Sequence, residues 1–199
     1  MILKIKMHLG LALIAAVCLV SFSGCGVGEP KTVKTKDGKF QVTIPGNWSS
    51  RKDLNDEAQL QVALLRQEMY LIVLSETRSS LRSTGLGGIS IEKHSEITRE
   101  ALMQNAAGAK ATGPTEVTID GQKGIQYEIR GKVEGINAVY LHTTVEIDGQ
   151  IHQILAWTLA SKFEGNKENL QKVIKSFQSV SSKKDDAKQD PPKEATKKK

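Results

Sequence analysis

Two tetrapeptides of one form, Ile119-Asp120-Gly121-Gln122 and Ile147-Asp148-Gly149-Gln150, each stand between runs in which apolar and polar residues alternate. Asp-Gly readily takes the positive φ that a tight hairpin turn demands at both central positions, so each pair predicts two antiparallel strands joined by a short loop. Loop length then decides which side chains share a face, because a slip of one residue exchanges the two faces of a strand. A two-residue loop sets Ile147 opposite Gln150 and brings Val139, Leu141 and Val145 onto the face of His152 and Thr158. A three-residue loop sets Ile147 opposite Ile151, Leu141 opposite Trp157 and Val139 opposite Leu159. Apolar burial favours the second register, with Trp157 in the core, and the first hairpin follows it with Val117 opposite Ile125.

The remaining elements follow from periodicity. Phe40, Val42 and Ile44 alternate with polar neighbours until Pro45-Gly46 stops the strand, and Leu60, Val62 and Leu64 alternate in the same way. Tyr70 to Leu74 and Ile154 to Ala160 are apolar on both faces, which predicts strands covered on both sides. One helix is expected after Ser95 as N-cap, with Ile97, Ala101, Leu102 and Ala106 as its apolar stripe up to Gly108. A second is expected after Asn166, where Leu170, Val173, Ile174 and Phe177 recur at helical spacing. Its other face, with Lys167, Gln171, Lys172 and Lys175, is expected to be wet. The order is three strands, a helix, four strands and a helix. The fold class expected is α+β, a mainly antiparallel sheet flanked by helices on both faces.

The chain opens with Lys4 and Lys6, an apolar run of about 14 residues, and Phe22-Ser23-Gly24-Cys25. A bilayer-spanning helix needs roughly 20 residues, so this is the layout of a cleavable signal rather than a permanent span. The last four residues resemble the lipobox of bacterial lipoprotein precursors, with Phe22 where that family has an aliphatic. A thiol is needed as acyl acceptor and small residues before it let the peptidase reach the bond, so Cys25 is the expected lipidation site. Two or three acyl chains anchor firmly at about 0.8 kcal/mol per buried CH₂. Cys18 leaves with the signal, and no thiol remains for a disulfide or a metal. The expected organisation is a signal peptide over 1–24, a lipidated tether over 25–37, one domain over 38–180 and a Lys-rich tail over 181–199 with no residue able to build a core.

Charge restricts the partners. Removing Lys4 and Lys6 from 28 bases against 22 acids leaves +4, and residues 183–199, with seven lysines and four acids, hold +3 of it. A nearly neutral domain lacks the basic face that nucleic-acid binding requires. The expected location is the cell envelope. If the host has two membranes, Gly26 lacks the Asp associated with inner-membrane retention, which favours the periplasmic face of the outer membrane; otherwise the outer face of the plasma membrane is expected.

Chemistry is sparse. In the favoured register His142 and His152 share a face but stand about 13 Å apart, and in the other register they point to opposite faces, so no metal site is expected. No Gly-x-Ser-x-Gly elbow occurs, and His94 beside Ser95 is not how a triad is recognised. Asp53, Asp56 and Glu57 lie in a polar loop where solvent leaves carboxylates ordinary. No catalytic residue and no cofactor is expected. One loop stands apart: Arg78, Arg82, Gly85, Gly87 and Gly88, with four hydroxyls among them, could cradle a phosphate or carboxylate.

Phe40 to Trp48 near the start of the domain, the late Asp-Gly hairpins, and Val173-Ile174-Lys175-Ser176-Phe177 at its end together resemble the PsbP-like family, over about residues 37–180. That family includes DcrB-type bacterial lipoproteins. The resemblance implies an α/β/α sandwich and a role in binding or assembly of a protein partner rather than catalysis. The rival expectation is a carrier or enzyme for a small anion at Arg78 to Gly88. Because the lipoprotein peptidase acts after acylation, Cys25→Ser should abolish acyl labelling and leave uncleaved precursor, read by metabolic labelling and gel mobility. Normal processing of that variant would refute the lipobox.

Overall fold

The computed structural model describes residues 28–181. In chain order its elements are β1 (Lys31–Lys34), β2 (Phe40–Ile44), β3 (Ser49–Ser50), β4 (Leu60–Leu64), β5 (Met69–Thr77), α1 (Arg78–Ser83), α2 (Ile91–Gln104), β6 (Ala107–Ile119), β7 (Gln122–Val133), β8 (Ile136–Ile147), β9 (Gln150–Leu159), α3 (Phe163–Lys175) and β10 (Gln178–Ser179). A seven-stranded sheet runs β3-β4-β5-β9-β8-β7-β6, with every pairing antiparallel. A small sheet, β1-β2-β10, forms a separate unit. The architecture is α+β and mainly antiparallel, as the alternation predicts.

The large sheet has two unlike faces. On one, Leu71, Leu141, Val145, Ile154 and Ala156 pack against β2 and α3, whose Leu170, Val173 and Ile174 are buried, as is Phe177 just beyond the helix. Pro45 stops β2, and Trp48 is buried against one end of this core. The opposite face carries Ile72, Tyr127, Ile129, Tyr140 and Leu155, with Leu102 and Met103 of α2 packed against them.

The hairpin register is the two-residue one, which corrects the expectation. Ile147 stands opposite Gln150, Leu141 opposite Ala156, Val139 opposite Thr158 and Val145 opposite His152. Trp157 therefore lies on the other face, opposite Tyr140, and is only half-buried. The first hairpin likewise sets Ile119 opposite Gln122 and Val117 opposite Gly124. Both central residues of each turn take positive φ, 50° and 74° at Asp120-Gly121 and 51° and 70° at Asp148-Gly149. This turn geometry matches the strand twist, which outweighs matching apolar residues across the pair. The two polar residues it sends inward find partners: Thr158 Oγ1 accepts from Asn166 Nδ2 at 2.9 Å, and His152 Nδ1 bonds Ser75 Oγ at 2.9 Å.

Both helices begin earlier than expected. Ser90, not Ser95, caps α2, with its hydroxyl accepting from Lys93 N–H, and Ser95 is buried mid-helix. The inward stripe is consequently rotated, and Ile97 is 40% exposed. In α3, Asn166 lies inside the helix and donates to Gln67 O and Thr158 Oγ1. Of its outer lysines, Lys167 is paired with Glu128 at 2.9 Å rather than simply wet. The expected tether also shortens, because Lys31–Lys34 forms β1 against β2 and Gly46 N–H donates to Gly28 O. The signal segment, Cys25 and the tail from residue 182 lie outside the described residues.

The core of the α3 face is closed by Phe177, fully buried and stacked on Phe40 at 5.6 Å. Phe177→Ala should cost about 3–5 kcal/mol in urea unfolding, and Trp157→Ala, on the half-covered face, distinctly less. The reverse order would contradict the two-residue register.

Candidate functional site

The segment proposed from sequence to hold an anion is organised differently from a cradle. Arg78–Ser83 is the short helix α1, capped by Thr77. The Arg78 guanidinium binds Glu146 twice, Nε to Oε1 at 2.8 Å and Nη2 to Oε2 at 2.5 Å, and donates to Ile89 O. This pairing holds the Glu146 carboxyl below the ordinary carboxylate range. Gly87 lies against the stem of Arg82, with no room there for a Cβ. Gly85 takes positive φ, and Gly88 faces open space. The structure thus brings Arg82 and Gly87 together and commits Arg78 elsewhere.

A polar layer that periodicity does not reveal lies between α2 and the sheet. Between the apolar contacts of Ile91, Leu102 and Met103, the inward positions of α2 are His94, Ser95, Thr98 and Arg99, facing His142, Thr144 and Tyr127. His94 Nε2 donates to Glu76 Oε2 at 2.7 Å, Thr98 Oγ1 lies 3.0 Å from His142 Nε2, and the Arg99 guanidinium sits 5.0 Å from the Tyr127 ring. His94 Nδ1, Ser95 Oγ, Arg99 Nε, His142 Nδ1 and Thr144 Oγ1 have no protein partner. Beside them a cleft of about 280 Å³ is lined by Glu57, Glu76, His94 and Gln153. Among the described residues no hydroxyl donates to His94 Nδ1, as the nucleophile of a Ser–His pair would. Among the described residues no group of three or more His, Cys, Asp or Glu could hold a metal ion. His142 and His152 lie on opposite faces of the sheet, as the two-residue register requires.

A third feature is the end of the large sheet where the β4–β5 and β7–β8 turns meet the end of β9. Leu65, in the β4–β5 turn, and Ile136, the first residue of β8, are 48% and 56% exposed. Behind them Tyr70, Trp157 and Tyr140 form a row across β5, β9 and β8, with ring centroids 5.2 Å and 6.0 Å apart. Exposed Arg66, Lys132 and Lys162 stand at the same end of the sheet, where a groove of about 570 Å³ is lined by Lys110, Arg130 and Lys132. Single apolar residues in or beside turns carry no sequence signal, so this end was invisible to periodicity.

With this topology the chain has the PsbP-like α+β fold. No protein-family model matches the chain, and no curated protein sequence matches it. Solved structures do. The solution structure of cyanobacterial PsbP from Synechocystis superposes with a TM-score of 0.53 at 15% identity, covering 81% of this chain and 99% of that one. LpqN of Mycobacterium tuberculosis, described as involved in cell envelope biogenesis, gives 0.54 at 13%, over 76% and 90%. The Ran-binding protein Mog1p of Saccharomyces cerevisiae gives 0.52 at 12%, over 78% and 97%. No helix of the described residues is long and apolar enough to cross a membrane.

Burial holds both His142 and His152 neutral, pushed down to about 4. Between that value and the ordinary 6.5 the unfolded chain binds protons that the fold refuses. Stability should therefore fall as pH drops from about 6.5 to about 4, by roughly 3 kcal/mol for each imidazole. Urea midpoints across that range test it: His142→Gln should flatten the slope, and an unchanged slope in His142→Gln and His152→Phe would show these imidazoles are not the cause.

Proposed function

We propose that the chain is a lipid-anchored protein of the cell envelope whose domain is a non-catalytic binding or assembly module. The observation that carries this reading is the junction of anchor and fold. Cys25, at the end of the lipobox-like Phe22-Ser23-Gly24-Cys25, stands three residues before Gly28, whose carbonyl already accepts from Gly46 N–H. A PsbP-like domain held so close to an acylated cysteine suits surface assembly. The likeness to LpqN supports an envelope setting, and the Ran-binding description of Mog1p supports a fold used to hold a protein partner. In a host with two membranes the anchor is on the periplasmic face of the outer membrane, and otherwise on the outer face of the plasma membrane.

The rival, a small-anion carrier or enzyme at Arg78 to Gly88, would have to rest on Arg82 and backbone groups, because Glu146 already occupies Arg78. Apolar side chains exposed away from the anchored corner, Leu86 at 41% and Ile97 at 40%, are where a protein partner would gain contact. The test is retention of a stoichiometric partner from solubilised membranes on the mature chain carrying Cys25→Ser. Leu86→Asp and Ile97→Asp should release it while leaving the urea midpoint unchanged. No retained partner, together with phosphate binding that Arg82→Gln abolishes, would favour the rival.

A further inference from the structure

We infer that the end of the large sheet bearing Leu65, Ile136 and Trp157 is the membrane-facing surface of the domain, and that it seats on anionic lipid headgroups. The direction of this surface rests on the anchor at Cys25 proposed above; its chemistry stands on the fold alone.

Reach fixes the direction. Two residues separate Cys25 from Gly28, so the three Cα-to-Cα steps between them span at most about 10 Å fully extended. Gly28 is packed on Gly46, and Lys31 Nζ lies 3.5 Å from Gly46 O. Gly46 leads directly into β3, whose Ser49 pairs with Ala63, two residues before Leu65. The corner nearest the acyl chains is therefore the corner beside the β4–β5 turn. Along that same end of the sheet, Tyr70 pairs with Trp157, Ala138 with Leu159 and Val133 with Ile136. From the β4–β5 turn to the β7–β8 turn is about three strand spacings, roughly 14 Å, so both turns can meet one plane.

The chemistry fits headgroups. Leu65 in the β4–β5 turn and Ile136 at the start of β8 are exposed aliphatic side chains, and Trp157 and Tyr70, large rings with one polar edge, lie half-buried behind them. Lys31, Arg66, Lys132 and Lys162 are exposed at this end. Of the acids nearby, Glu164 is bridged to Arg130 at 3.2 Å and Glu68 accepts from Tyr70 at 2.8 Å, while Glu29 is exposed beside Gly28 and Glu134 lies on the β7–β8 turn itself. The far end instead carries the two Asp-Gly turns, with Asp120 and Asp148. Lys123 stands beside the first of those turns, bridged to Glu116 at 2.6 Å, so it is the exposed bases and apolar side chains of the near end that select headgroups.

The experiment uses the mature chain with Cys25→Ser, so that no acyl chain contributes, and vesicles of phosphatidylglycerol and phosphatidylcholine against phosphatidylcholine alone. Sedimentation should show binding to the anionic vesicles, weakening as salt rises from about 0.1 M to 1 M. A blue shift of tryptophan emission should accompany it, since Trp157 lies at the surface proposed. Arg66→Glu and Lys132→Glu should each lower partitioning by at least about fivefold. Leu65→Asp and Ile136→Asp should weaken partitioning as well, with unchanged urea midpoints. A chain ending at residue 181 should keep its dependence on these residues. Binding that vanishes with residues 182–199 and ignores the four variants would overturn the proposal, as would retention on anionic wall polymer with none on vesicles. Failure of acyl labelling at Cys25 is a separate result: it would remove the anchor and leave the vesicle outcome standing.

Discussion

The turn at Asp148-Gly149 sets the register on which the rest of the sheet depends. With φ of 51° and 70° it is a two-residue turn of the kind whose twist agrees with that of the strands it joins. Once β8 and β9 are paired that way, His152 must enter the α3 face. The core is built around it: Phe40 meets the imidazole edge-on at 4.2 Å, Phe177 at 4.9 Å, and Ser75 on β5 bonds its Nδ1. That one ring joins β2, the segment after α3, β5 and β9. A register shifted by one residue would place Ile151 there and send His152 to the opposite face, leaving Ser75 without its partner.

The strands themselves were legible because period-two alternation reports burial directly, and Phe40, Val42 and Ile44 are all buried. The register was not legible, because the rule that apolar residues face one another fails when a histidine and a threonine are inward and hydrogen-bonded. Leu170, Val173 and Ile174 are inward as helical spacing predicts. The inward side of α2 could not be read, since His94, Ser95 and Thr98 give no apolar signal while Ile97 points to solvent. Arg78 and Glu146 are separated by 68 residues, and only the fold shows that a promising arginine is already engaged.

The two helices on opposite faces are held by different physics. Under α3 the inward side chains are mostly aliphatic and aromatic; Asn166 and Thr158 bond each other, His152 Nδ1 bonds Ser75, and one buried atom, His152 Nε2, has no protein partner. Under α2 five buried polar atoms find no protein partner. A buried polar group without a partner costs about 1–3 kcal/mol, so a layer of this kind stabilises less than an apolar one. A helix seated on such a layer gains less from burial than one seated on a dry core. Local opening should therefore begin at α2 rather than α3, and the 280 Å³ cleft beside His94 lies where that opening would start.

Shortness of the link between anchor and fold changes what a weak surface can do. A twelve-residue tether would let the domain wander some 40 Å from the bilayer, whereas the three steps from Cys25 to Gly28 hold its corner within about 10 Å. A short link corresponds to an effective concentration in the millimolar range, so with Cys25 acylated as proposed, a headgroup affinity that sediments only part of the free chain would keep the surface seated. In the proposed arrangement the lipid would supply affinity and the sheet end orientation. With Leu65 and Ile136 turned to the bilayer, the Asp-Gly turns and α1 are presented outward, about a strand length away, where a partner in the envelope can reach Leu86 without competing with the membrane.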